Sequence, residues 1–181
     1  MDVGKYEPKM SPYGGYDKFI GFFNEELKPF AMSVLKKDGG HVPIVIAVSK
    51  DGTECMSMNT LLSEIDDMDN AVDRSNGKDM MANLMNSFIS SRNAFAYVFI
   101  SECWYASTPK GEELTGEIRE QSNKEEALAF TWEYKHNGTK KTGSTIVPYY
   151  RHDDDSIIFM KEVSSESNGS AEGGRFSGFL V

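Results

Sequence analysis

The chain has 181 residues, of which 39% are hydrophobic, 12% aromatic and 26% charged, which suits one domain with a buried core and excludes a wholly disordered chain. No apolar run approaches the roughly 20 residues of a membrane-spanning helix, and Met1-Asp2-Val3-Gly4-Lys5 lacks a hydrophobic signal core. Two cysteines, Cys55 and Cys103, make no disulfide framework, and a net charge of −9 argues against general nucleic-acid binding. The expectation is a soluble cytoplasmic protein with no membrane contact.

Residues 1–16 hold Pro8, Pro12, Gly14 and Gly15 among three tyrosines and suit an extended arm. From Asp17, read as an N-cap, the residues Phe19, Ile20, Phe23, Leu27, Phe30, Ala31 and Val34 recur at helical spacing and predict an amphipathic helix ending near Gly39-Gly40. Pro29 removes a backbone donor inside it, so a kink or a division into two shorter helices is expected. Val42 to Ser49 is rich in β-branched residues and stops at the Asp51-Gly52 turn signal, with a weaker strand through Cys55-Met56-Ser57-Met58.

The acid excess is local. Residues 51–123 carry 13 acidic and 5 basic side chains, densest at Glu64, Asp66, Asp67, Asp69, Asp73 and Asp79. The spacing fails as a calcium loop, because Asp67 and Asp69 are followed by Ala71 with no glycine where the loop must turn, so no metal is assigned. A solvated acidic loop, or a surface of Asp66, Asp67, Asp69 and Asp73 offered to a protein partner, accounts for it better. Met80, Met81, Leu84, Met85, Phe88 and Ile89 then mark a second helix from about Lys78 to Arg92. Six of the ten methionines lie between residues 56 and 85, where they suit either an irregular core or an adaptable contact surface.

Ala94 to Tyr105 is the strongest strand, apolar on both faces through Ile100 and therefore expected at the centre of its sheet. Residues 106–123 read as a polar loop. Leu128, Phe130, Trp132 and Tyr134 alternate with less apolar residues up to Asn137-Gly138, a hairpin turn signal. With that turn, His136 pairs with Thr139, Phe130 with Thr145 and Leu128 with Val147. The pairing puts Leu128, Phe130, Trp132, Thr145, Val147 and Tyr149 on a core face, and Glu133, Lys135, Lys140 and Thr142 on a wet one. A turn at His152-Asp153-Asp154-Asp155 leads to a strand through Ile157 to Met160. Residues 164–174 have the composition of a flexible linker, and residues 175–181 form an apolar tail. Together these give an α+β fold: an arm at 1–16, a single domain at 17–163 with a mainly antiparallel sheet of five or six strands and two helices on one face, and a linker with an apolar segment at 164–181.

No phosphate loop, dinucleotide fingerprint, nucleophile elbow, zinc-helix motif or Cys-x-x-Cys pair is present, and no cofactor is assigned. His41, His136 and His152 fall at separate turns. Glu102 interrupts the central strand on the face of Val98, Ile100 and Trp104, where the indole would desolvate it, or it sits at the strand's exposed end or pairs with Arg151. Its candidate neighbours for acid or base work are Tyr105, Tyr149, Arg151 and His152. Cys103 faces the other way with no activating base nearby.

Asp38-Gly39-Gly40-His41-Val42-Pro43-Ile44-Val45 with Asp51-Gly52, and later Ala96-Tyr97-Val98-Phe99-Ile100-Ser101-Glu102-Cys103-Trp104, resemble uncharacterised small α+β proteins of bacteria and their phages. The chain departs from that pattern at Cys103, where a small residue is usual. The resemblance implies a phage or bacterial cytoplasmic setting and no particular activity.

The leading functional expectation is a non-catalytic interaction protein, phage-encoded, whose acidic loop and tail residues Phe176, Phe179 and Leu180 contact a protein partner or a second copy. An acidic inhibitor of a host protein is one form of this. The alternatives are a small hydrolase using Glu102 and a self-assembling structural subunit.

Overall fold

The structure is a computed structural model that describes residues 2–59, 64–65, 71–106, 118, 121–169 and 178–180. In chain order, β1 (Asp2–Tyr6) precedes a helical run made of α1 (Tyr16–Phe22), a π-helical turn (Phe23–Leu27) and α2 (Lys28–Asp38). Then come β2 (Ile44–Ser49), β3 (Gly52–Ser57), α3 (Ala71–Ser91), β4 (Ala96–Tyr105), β5 (Glu125–His136), β6 (Thr139–Arg151), β7 (Ile157–Phe159) and β8 (Val163–Asn168). The strands form one open antiparallel sheet in the order β1-β3-β2-β4-β5-β6-β7, and β8 joins the outer edge of β6 beside β7. The α+β class and the antiparallel sheet agree with expectation, with eight strands in place of five or six.

The additional strands come from segments whose composition disguises them. Asp2–Tyr6, in the stretch read as an arm, pairs with β3 as an edge strand. The rest of that arm is fastened to the helical run by Glu26, whose carboxylate accepts the Tyr6 hydroxyl at 3.1 Å and the Lys9 and Met10 amides at 2.9 and 2.5 Å. Val163–Asn168, most of it read as linker, pairs with Lys141–Ile146. Its serines are not idle there. Ser165 bonds Ser144 at 2.9 Å and Ser164 bonds Thr145 at 3.0 Å, while Glu166 takes Lys141 at 2.6 Å and Tyr16 at 2.7 Å. Cross-strand polar pairs of this kind stabilise a strand that has little apolar surface to bury.

The helical run passes Pro29 without a break. A proline in a helix lacks its donor and its ring presses on the carbonyl four residues back. The turn Phe23–Leu27 widens just before it, with the Lys28 amide bonded to the Phe23 carbonyl, so one inserted residue absorbs the misfit. Asp17 lies in the first turn instead of capping it, and Gly15 holds the cap position. At the other end Gly39 adopts φ 71 and closes the helix on the Leu35 carbonyl, as the glycine pair predicts.

The two sides of the sheet have different cores. Phe19, Phe22, Phe23, Leu27, Ala31 and Leu35 of the helical run pack on one face, against Ile46, Val98, Ile100, Phe130, Trp132 and Tyr149 among others. Met81, Met85, Phe88 and Ile89 of α3 pack on the opposite face, against Val45, Ala47, Tyr97 and Phe99. The expectation of both helices on one face is therefore corrected. The reason is visible in β4, whose successive side chains Tyr97, Val98, Phe99 and Ile100 are all apolar and buried, so each face of the strand needs its own cover. Of the six clustered methionines, Met56, Met58, Met81 and Met85 are core residues, Met80 is exposed, and Met68 lies outside the described residues.

The β5–β6 hairpin has the register expected of its Asn137-Gly138 turn, with His136 opposite Thr139, Phe130 opposite Thr145 and Leu128 opposite Val147. Both turn residues have positive φ, 49 and 77, which is what a two-residue hairpin of this twist requires. Its second face is not uniformly wet, however. Glu133 is only 2% exposed and Thr142 is also buried, because the C-terminal segment covers that end of the hairpin.

Candidate functional site

Two carboxylate-centred sites lie on opposite faces of the sheet. The first gathers around Glu102, near the end of β4 where the strand leaves the core. Tyr149 donates its hydroxyl to Glu102 Oε2 at 2.5 Å, and Arg151 Nη2 lies 3.3 Å from the same oxygen. The backbone N–H of His41 occupies Oε1. Arg151 also reaches Glu126 through Nε at 3.0 Å and the Gly39 carbonyl through Nη1 at 2.5 Å. The arginine thus ties β4, β5 and the turn that follows α2 to its own strand, β6.

Of the residues singled out from the sequence, Glu102, Tyr149 and Arg151 come together here. Trp104 is 46% exposed and has Lys124 over its ring, so it does not desolvate Glu102. Tyr105 projects to the opposite face by strand alternation. His152 is exposed and meets the Tyr150 ring edge-on, with ring centroids 4.9 Å apart. His41, Glu126 and Gly39 join the site without having been marked in the sequence. Packing of the 39–41 turn against the end of the sheet brings Gly39 and His41 there, and the pairing of β5 with β4 and β6 brings Glu126.

Electrostatics makes this site a closed network. Burial, and then the bond to Glu102, push the Tyr149 phenol well above its usual range, so it stays a donor. Burial, reinforced by the Glu102 charge, pushes the Cys103 thiol up to about 11, so a thiolate is scarce at neutral pH. His41 is held below the ordinary histidine value by burial, against the opposing pull of the Val42 backbone and then of Glu102. Its Nδ1 is buried and meets no hydrogen-bond partner among the described residues.

The second site lies on the α3 face. Glu133 of β5 accepts the backbone N–H of Gly178 and, at 3.3 Å, that of Leu180. Tyr97 of β4 shares a side-chain hydrogen bond with the same carboxylate, and burial followed by the Glu133 charge holds its phenol protonated. The Phe179 ring sits on Tyr97 with centroids 5.6 Å apart. Leu180 is buried in the cluster that contains Met56, Met81 and Met85. Lys140 Nζ lies 3.5 Å from the Leu180 carbonyl. The arrangement holds residues 178–180 of the chain through both their backbone and their side chains.

Phe179 and Leu180 are thus placed on the chain's own sheet. Asp73 is exposed at the start of α3, whereas Asp66, Asp67, Asp69 and Phe176 lie outside the described residues, as does most of the 106–123 loop. Glu133, Tyr97 and Lys140 were not among the candidates. The signal available was an acid flanked by Trp132 and Tyr134. Among the described residues no group of His, Cys, Asp and Glu side chains is placed to hold a metal ion, and no helix is long and apolar enough to cross a membrane.

Comparison of the chain with protein-family models, with curated proteins and with solved structures gives no match.

Proposed function

We propose that the chain is a non-catalytic protein–protein interaction protein, cytoplasmic and phage-encoded, that engages a protein partner or a second copy through the α3 face. The observation that carries this reading is the seating of Gly178, Phe179 and Leu180 on Glu133 and Tyr97. A buried carboxylate facing backbone N–H groups, with an aromatic platform beside it, is the chemistry of peptide recognition. The net charge of −9 supports a basic partner surface and, in its most specific form, inhibition of a host protein by occupying a basic groove.

A hydrolase built on Glu102 is less well supported. Both of its carboxylate oxygens already accept hydrogen bonds, from His41, Tyr149 and Arg151, which ties the group into the fold as a structural acceptor. A general acid or base would have to break that network first.

The test is association measured at two ionic strengths. The full chain is used as bait in lysate of a bacterial host, and light scattering follows its own mass over a range of concentrations. The reading expects a captured protein or a concentration-dependent mass, weakened by salt where the acidic residues contribute. A chain that stays monomeric and captures nothing at low salt argues against it.

A further inference from the structure

We infer that the Glu133 slot is a sequence-selective peptide site for a partner segment of the pattern glycine, aromatic, aliphatic, and that residues 178–180 are its built-in competitor. This deepens the interaction reading and rests on it. Each position of the pattern has a physical cause. Gly178 has φ 83 with open space where a Cβ would stand, so a larger residue is opposed by backbone conformation and not by crowding. The Phe179 ring is read by Tyr97 at 5.6 Å, an aromatic contact that adds to simple burial. Leu180 is 5% exposed in a cluster rich in methionine, whose flexible side chains accommodate other aliphatic shapes.

The backbone is read independently of the side chains. One carboxylate takes the N–H groups of positions one and three, and Lys140 takes the carbonyl of position three. A carboxylate buried to 2% exposure loses two donors whenever the segment leaves. An emptied slot exposes that carboxylate together with the apolar surface under Phe179 and Leu180, so a peptide that restores the two bonds and reburies the surface is favoured. The occupant to which this chemistry points is a protein segment carrying the same three-residue pattern. Belonging to the same chain, residues 178–180 compete with a partner segment intramolecularly. The intact chain then binds a partner only when that partner is abundant or presents a better match.

The experiment uses the full-length chain carrying Phe179→Ser and Leu180→Ser, which empties the slot without shortening the chain. A fluorescein-labelled peptide, Arg-Phe-Ser-Gly-Phe-Leu-Val, is titrated by fluorescence polarisation into this variant and into the unaltered chain. Saturable binding to the emptied variant is expected, at least tenfold weaker binding to the unaltered chain, and at least tenfold loss when Glu133→Gln is added. A peptide with alanine for its glycine should lose at least fivefold. If the emptied variant, folded by its amide spectrum, does not bind, the inference is overturned. Binding indifferent to Glu133→Gln and to the glycine change overturns it equally. Should the emptied variant not fold, the unaltered chain is titrated with excess peptide while the Leu180 amide resonance is followed. Displacement supports the inference, and an unmoved resonance overturns it. Loss of peptide binding with association intact removes this slot alone, whereas loss of both removes the interaction reading as well.

Discussion

Leu180 donates its backbone N–H to Glu133 Oε2 across 3.3 Å, 47 residues back along the chain. The same carboxylate takes the Gly178 amide, so a single acid fastens a segment that follows a serine- and glycine-rich stretch. Glu133→Gln keeps the shape but offers one oxygen in place of two, and it turns an amide donor towards N–H groups. The expected effect is local, about 1 to 3 kcal/mol of docking free energy. Hydrogen exchange at the Gly178 and Leu180 amides should accelerate roughly tenfold to a hundredfold, with amides of β4 and β5 unchanged. Unaltered exchange at these two amides would show that the carboxylate does not hold them.

Gly143 lies directly opposite Trp132 in the hairpin. A Cβ at this position would stand 2.6 Å from the indole Cε2 and 2.8 Å from the Ser165 carbonyl, one in the core and one in the backbone of β8. Neither can yield cheaply. Gly143→Ala should therefore cost about 2 kcal/mol or more by overpacking, read as a lower urea midpoint in an unfolding curve followed by tryptophan fluorescence. A midpoint equal to that of the unaltered chain would mean that Trp132 has room to move.

The core side of this hairpin was legible in the sequence for the same reason that Gly143 matters. Alternation from Leu128 to Tyr134 and the Asn137-Gly138 turn fix the register locally, and register fixes the face. The assignment of α3 to the opposite face was not legible, since an amphipathic stripe states that a helix is covered and not by which side of a sheet. The strands at Asp2–Tyr6 and Val163–Asn168 were also hidden. Their stability comes from partners far away in sequence, such as Glu26 for the residues after β1 and Tyr16 for Glu166, and not from their own composition. At the sites, Glu102, Tyr149 and Arg151 were recognisable as a strand-end acid with candidate partners. Glu133 was not, because its burial depends on where residues 178–180 settle. Three acids share one structural role: Glu26, Glu102 and Glu133 each accept backbone N–H groups and fasten, in turn, the arm, the 39–41 turn and the C-terminal segment.

His41 gives the fold a pH dependence with a definite sign. Burial lowers its folded-state pKa below the ordinary value of about 6.5, with the Val42 backbone and Glu102 opposing. The unfolded chain therefore binds more protons than the folded chain as pH falls through that value, and stability declines towards acid with a slope of at most about 1.4 kcal/mol per pH unit. The decline ends below the folded-state pKa. Glu166, held low by Lys141 and Tyr16, adds stability that is lost only in the more acidic carboxylate range, a separate window. Thermal melts between pH 7.5 and 5.5 should show a falling midpoint in the unaltered chain and a flatter one in His41→Asn. Equal slopes in the two would assign the effect elsewhere.

Arg151 joins more segments of the first site than any other side chain in it, with Glu126, Glu102 and the Gly39 carbonyl all within 3.3 Å. Its ion pairs are only partly sheltered, the side chains of Arg151, Glu102 and Glu126 being about a third exposed, so their Coulombic worth is modest. Arg151→Ala should lower global stability by roughly 1 kcal/mol. Its sharper signature is local, since the His41 amide is held by Glu102, which Arg151 orients. Exchange at that amide should rise in Arg151→Ala, and Arg151→Lys should restore little of the protection. A lysine is a single point charge and cannot span three acceptors that the planar fork reaches together. Full protection of the His41 amide in Arg151→Lys would show that charge alone holds the 39–41 turn, and that the geometry of the guanidinium is incidental.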